Sequence, residues 1–89
     1  MKYCFELSFH AEQDFLCLER NIQRRIIAKL SFFEKLTNPL EHAKKLSGVE
    51  NVYRFRIGDY RILVKPQPDN TLVILLVIKI GHRRDVYDF

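Results

Sequence analysis

Residues 53–61, Tyr-Arg-Phe-Arg-Ile-Gly-Asp-Tyr-Arg, constrain the fold more than any other stretch of this chain. Tyr53, Phe55 and Ile57 alternate with Arg54 and Arg56, and successive side chains of a strand point to opposite faces. The apolar set therefore faces a core, while the two arginines share the other face. Gly58-Asp59 is a two-residue turn signal, so the spacing predicts a hairpin in which Ile57 pairs with Tyr60 and Arg56 lies across from Arg61. Like charges opposed on neighbouring strands are destabilising, on the order of the 0.2–1 kcal/mol that such cross-strand pairs carry. A chain that tolerates this, and adds Gly81-His82-Arg83-Arg84-Asp85-Val86-Tyr87 downstream, looks prepared for an anion. The competing reading is a solvated polar face, the usual fate of a charge run.

The rest of the chain supplies the frame for that hairpin. Residues 2–9 alternate, with Tyr3, Phe5, Leu7 and Phe9 on one face, and read as a first strand. A short helix is expected from about Ala11 to Glu19. A longer one is expected from about Asn21 to Leu36, its apolar stripe being Ile22, Ile26, Leu30 and Phe33. Ile27 and Phe32 widen the stripe and leave room for a partner. Thr37-Asn38-Pro39 stops the helix, because the residue before proline is pushed out of the helical region. Residues 40–48 read as a basic connector carrying Lys44-Lys45, and 66–70, Pro-Gln-Pro-Asp-Asn, as a turn. Residues 71–80 are apolar at nearly every position, as in a central strand covered on both faces. The order predicts an α+β domain over residues 1–89: an N-terminal strand, a two-helix hairpin, then three antiparallel strands, with the helices on one face of the sheet. The arginines occupy the other face.

With 89 residues, 47% of them hydrophobic, the chain can build one core without staples. Its net charge of +4 favours acidic partners, nucleic acid or acidic protein, without choosing between them. Cys4 and Cys17 form no redox or zinc spacing and read as small buried hydrophobes in a reducing cytosol. The N-terminus lacks the apolar run of a secretory signal, and the stretch from Leu72 to Ile78 is too short to span a bilayer. A cytoplasmic protein without a membrane partner is expected.

Several chemistries find no support in the residues. The acids are scattered, His10, His42 and His82 show no ligand spacing, and there is neither a nucleophile elbow nor a glycine-rich phosphate loop. No metal and no cofactor is expected. What arginine, histidine and tyrosine can do together is act on a phosphodiester. A ribose 2′-OH can attack the adjacent phosphorus, so the protein has only to orient the nucleotide, neutralise charge and move two protons. Arginine suits the charge, since it stays protonated and forks onto phosphate oxygens. It is a poor proton carrier, because it holds its proton far above neutral pH. His82, because imidazole is the natural acid or base near neutral pH, and Tyr87, to which Arg83 and Arg84 could supply cationic neighbours, are better candidates for that work. Tyr53 and Tyr60 read as core.

The hairpin 53–63, the apolar strand, the terminal Ile-Gly-His-Arg-Arg-Asp-Val-Tyr of 80–87 and the Lys45-Leu46-Ser47-Gly48 connector together resemble the RelE/ParE toxin superfamily, on its RelE side. The likeness runs over nearly the whole chain. It implies the toxin of a type II toxin–antitoxin pair, a ribosome-dependent endoribonuclease that cuts mRNA in the A site through the 2′-OH and without metal. Carried over residue by residue, it implies catalytic roles for Arg54, Arg56, Arg61, Arg83 and Tyr87. His82 joins them as a proton carrier, and Lys44, Lys45 and Arg84 are expected to contact RNA or the ribosome. Some members carry lysine where this chain has Arg54 and Arg56, a departure that shifts the proton work toward His82 or Tyr87. The implied partners are a RelB-like antitoxin, the ribosome and mRNA, and operator DNA only jointly with the antitoxin. Two other functions share the resemblance: a non-enzymatic inhibitor of DNA gyrase, like the ParE side, and a catalytically lapsed RNA-binding or regulatory relative.

Overall fold

The structure, a computed structural model, describes residues 2–86. Strand β1 (Lys2–Leu7) leads into helix α1 (Phe9–Leu16) and helix α2 (Arg20–Glu34), and one turn of 3-10 helix follows at Pro39–His42. Four further strands complete the sheet: β2 (Lys44–Lys45), β3 (Tyr53–Ile57), β4 (Tyr60–Asp69) and β5 (Leu72–His82). A single turn, α3 (Arg83–Val86), comes last. The five strands lie in the order β1-β5-β4-β3-β2. The predicted α+β arrangement is present, with one strand more than expected because Lys44 and Lys45 pair with Arg54 and Tyr53 at the sheet edge. All pairings are antiparallel except β1 with β5, which is parallel from Lys2↔Leu72 to Leu7↔Val77.

One face of the sheet is the core. Phe55, Ile57, Ile62, Val64, Val73, Leu75, Val77 and Ile80 are buried there against Ala11 of α1 and Ile26, Leu30 and Phe33 of α2. Phe55 anchors this layer, its ring 4.7 Å from Phe33 and 5.5 Å edge-on from Phe5. The predicted stripe of α2 is the one that packs, with Ile22 half-buried beside it, while Ile27 and Phe32 stay about half exposed. Helix α1 begins two residues before the expected point because Ser8 caps it, its hydroxyl accepting from Ala11 N at 3.1 Å. Helix α2 ends ahead of the proline signal, at Glu34. The Glu34 carboxylate turns back and accepts from Phe5 N at 2.7 Å, satisfying a donor on the open edge of β1.

Three expectations need correction. Residues 66–69 are strand rather than turn: Pro66 pairs with Leu75 and Pro68 with Val73, and the turn comes at Asn70, whose φ is 57°. The prolines are tolerated because β3 pairs only with residues 60–64 of β4, so beyond Val64 no β3 residue asks that side of the strand for a ladder donor. Strand β5, though flanked by two strands, is fully buried on its helical face alone, and Leu72, Ile74, Leu76 and Ile78 on its outer side are half-buried. Cys17 is exposed at the C-cap of α1, where the helix periodicity turns it outward, and Cys4 is half-buried on the outer face. No helix among the described residues is long and apolar enough to cross a membrane.

Candidate functional site

The site begins at the β3–β4 turn. Gly58 has φ 59° and Asp59 does not share a positive φ, the type II′ pattern in which glycine takes the first turn position. This turn sets the predicted register, with Ile57 opposite Tyr60 and Arg56 opposite Arg61. Arg61 in turn faces Gly81 of β5, which brings no side chain across from it. Because cross-strand partners share a face, Arg56 and Arg61 stand side by side on the face away from the helices. The next row on that face is Lys44, Arg54, Leu63 and Lys79.

A second, smaller cluster walls this surface. Residues 46–52 fold over the outer face, where buried Val52 and Leu63 pack with Leu46, Val49 and Ile78. Gly48 and Asn51 take positive φ in this strap, which is tied down by Leu46 N to Val52 O at 2.9 Å and by Asn51 Nδ2 donating to Pro66 O at 3.1 Å. Leu63 lies directly across from Arg54, which is itself half-buried.

Arg61 is the unusual member. It is only 8% exposed, and among the described residues its Nε has no hydrogen-bond partner. Desolvation pulls its guanidinium below the ordinary arginine value, and the like charges of Arg56, Arg54 and Arg83 pull the same way, opposed by Asp59. Four arginines thus lie within electrostatic reach of one another, with one carboxylate against them. A buried donor left unpaired among the described residues, inside a field of the same sign, has the chemistry to hold an anion.

The remaining candidates are placed differently. His82 pairs with Tyr60, whose ring belongs to the helical face; the two rings meet edge-on at 5.5 Å. Its Nδ1 accepts from Arg84 N at 3.3 Å. The imidazole is therefore on the opposite side of the sheet from Arg56 and Arg61. Lys44 stands on the arginine face beside Arg54, whereas Lys45, paired with Tyr53, points to the other. Arg83 and Arg84 are exposed in α3, and Arg83 N donates to Asp59 O at 2.8 Å, fastening the end of β5 to the turn. Tyr87 lies outside the described residues. Sequence reasoning missed Lys79, a half-buried cation on the arginine face; its one signal was a lysine inside an apolar run.

Comparison with known proteins bears on this geometry. Residues 5–87 match the family model described as the ParE toxin of type II toxin–antitoxin system, parDE. The chain belongs to the RelE/ParE toxin superfamily. A sequence relative of this toxin is Toxin RelE3 of Methanocaldococcus jannaschii, 39% identical over 46 residues, a match that spans 52% of the chain and 48% of the relative, about half its length. The toxin's fold is that of the RelBE2 toxin–antitoxin complex of Mycobacterium tuberculosis, with a TM-score of 0.75 at 22% identity over 93% of this chain and 100% of that one. It is also that of an E. coli RelE mutant in the free state, with a TM-score of 0.70 at 19% identity over 98% and 90% of the two chains. At such identities the structural likeness speaks for the toxin fold.

Proposed function

We propose that this toxin is a ribosome-dependent endoribonuclease that cleaves mRNA in the A site by attack of the ribose 2′-OH. The observation that carries the reading is Arg61, buried and, among the described residues, unpaired at Nε, beside Arg54, Arg56 and Arg83. In the proposed reaction the 2′-oxygen bonds to phosphorus and the bond from phosphorus to the 5′-oxygen breaks. A base takes the 2′-OH proton and an acid returns one to the leaving 5′-oxygen, leaving a 2′,3′-cyclic phosphate. The arginines supply preorganised donors for the charge that grows on the phosphoryl oxygens, each worth on the order of 2.7–4 kcal/mol in comparable sites. Such donors act at once because no solvent has to reorganise around them. We assign the proton work to Tyr87 in preference to His82, whose ring is turned to Tyr60. Metal takes no part in this scheme, since the nucleophile belongs to the substrate. Lys44, Lys79 and Arg84 would extend the contact along the RNA backbone, and Lys45 would touch the ribosome from the other face.

A RelB-type antitoxin is the proposed partner, as in the toxin–antitoxin complexes of M. tuberculosis, M. jannaschii and Pyrococcus horikoshii that share the fold. Binding of operator DNA is assigned only to the pair, and the site of action at the ribosome is cytoplasmic. Controlled expression followed by primer extension on a translated message tests the activity. Cleavage within codons, lost on Arg61→Ala, is expected; growth arrest with uncut message would sink the proposal.

A second reading draws on the family model itself, which is that of ParE: stoichiometric inhibition of DNA gyrase without catalysis. A supercoiling assay separates the two. Inhibition by equimolar toxin that survives Arg61→Ala would favour the gyrase reading.

A further inference from the structure

We infer that Asp14, on helix α1, is a positioning residue that sets the register of the last segment of β5 and so places Gly81 and Arg83 against Arg61. For its effect on cleavage the inference rests on the ribonuclease reading above. Its structural content does not.

The need for such a device follows from the sheet. Strand β1 covers one edge of β5 only as far as Leu7↔Val77, extended by Ser8 N donating to Val77 O at 2.9 Å. Beyond Val77, β5 runs on to His82 with no strand of the described residues on that side. The register against β4 also breaks at this point: Val64 pairs with Val77 but Leu63 with Lys79, so Ile78 is an extra residue, a β-bulge. The bulge changes which residues face the helices. Val73, Leu75 and Val77 point inward before it, and Ile80 after it. A shift of one residue in a strand exchanges its faces. Without the bulge, Gly81 and Lys79 would turn toward the helices and Ile80 and His82 toward the arginines.

Asp14 makes the choice. Its Oδ2 accepts from Ile80 N at 3.0 Å, across 66 positions of sequence, on the edge that β1 leaves open. The acceptor therefore takes the donor that the bulged register, and no other, presents to α1. On the opposite side Arg83 N is held by Asp59 O at 2.8 Å. The segment that carries Gly81, His82 and Arg83 is thus pinned at both edges. His10 Nε2 lies 3.6 Å from the same Oδ2, one turn away on α1, and its ring is 64% exposed. That pair belongs to the surface and is not needed for the tie.

The test separates acceptor from charge. Asp14→Asn keeps an oxygen acceptor at the same reach and removes the charge; Asp14→Glu keeps the charge and moves the acceptor by a methylene; His10→Ala removes only the surface pair. A misplacement of about 1 Å in a preorganised site costs up to about 10²-fold in rate. Asp14→Glu is expected to lower the single-turnover cleavage rate at saturating ribosome by about tenfold or more, with little change in the half-saturating concentration. Asp14→Asn and His10→Ala should stay within about threefold of the parent. Amide exchange at Ile80 reports the tie directly, and should quicken by about tenfold in Asp14→Glu and remain protected in Asp14→Asn.

If the parent toxin cleaves nothing, the ribonuclease reading fails. The inference then stands or falls on exchange at Ile80 and on binding of inorganic phosphate at the Arg61 amide by NMR, which Asp14→Glu should weaken. Equal rates, or equal phosphate binding, and equal Ile80 protection in Asp14→Glu and the parent would overturn it. An Asp14→Asn variant as impaired as Asp14→Glu would do the same, because an oxygen acceptor kept at the same reach would then not suffice to place the strand.

Discussion

Replacing Arg56 by Gln should make the toxin more stable and less active. The two residues behind a two-residue turn, Arg56 and Arg61, face each other directly, and the positions one step back from such a turn form the closer class of pair, with Cα atoms about 4.5 Å apart. Arg56 is exposed, so solvent screening holds the relief to the lower half of the cross-strand range, about 0.5 kcal/mol. For a domain of this size each kcal/mol moves Tm by about 4–8 °C, so a rise of about 2–4 °C is expected at low ionic strength. Salt distinguishes charge from packing: the screening length falls from about 10 Å at 0.1 M to about 3 Å at 1 M, and the gain should shrink accordingly. Inorganic phosphate should raise the melting temperature of the parent more than that of the variant, because the proposed anion site loses a cation in the variant. Mild changes of pH offer no such relief. Arg61 is a base whose folded-state value is lowered, so the cost of its charge is fully present at every pH below that value and fades only as pH rises through it, in the strongly alkaline range. Melting curves followed by circular dichroism in low and high salt, with and without phosphate, are the assay. A variant that melts at or below the parent in low salt, with a difference indifferent to salt, would refute the idea that the cluster is held against its own repulsion.

Further outcomes follow from the frame. Phe55→Ala removes a fully buried ring that touches Phe5 and Phe33, at a cost of about 3–5 kcal/mol, which urea titration should register as a large drop in midpoint. Gly58→Ala forces a Cβ into a positive-φ position and within 3.1 Å of Arg25 Nη1, so a loss of about 1–2 kcal/mol is expected in the same titration. Glu34→Ala leaves Phe5 N without its acceptor on an open sheet edge. About 1 kcal/mol of stability should be lost, and light scattering should show faster association at high concentration.

Local features of the chain already carried a good part of the structure. The period of two in residues 53–57 and the Gly-Asp turn determined the hairpin, its register and the sharing of one face by Arg54, Arg56 and Arg61, because alternation and turn geometry act over a few residues. The spacing of Ile22, Ile26, Leu30 and Phe33 likewise determined which side of α2 is buried. Tertiary structure decided what depends on distant partners. Pro66 and Pro68 could join a strand only because β3 stops short of them. Lys44 and Lys45, adjacent in the chain, were sent to opposite faces by an edge pairing too short to leave a periodic signal. The bulge at Ile78 turned His82 toward Tyr60 and kept Gly81 beside Arg61, a phase change that no apolar run reveals, since every residue from Leu72 to Ile78 is apolar alike. The burial of Arg61 has the same origin. Its alternation with Ile62 marks it as outward-facing, and only the sheet around it and the neighbouring arginines make that outward face a desolvated, electropositive one.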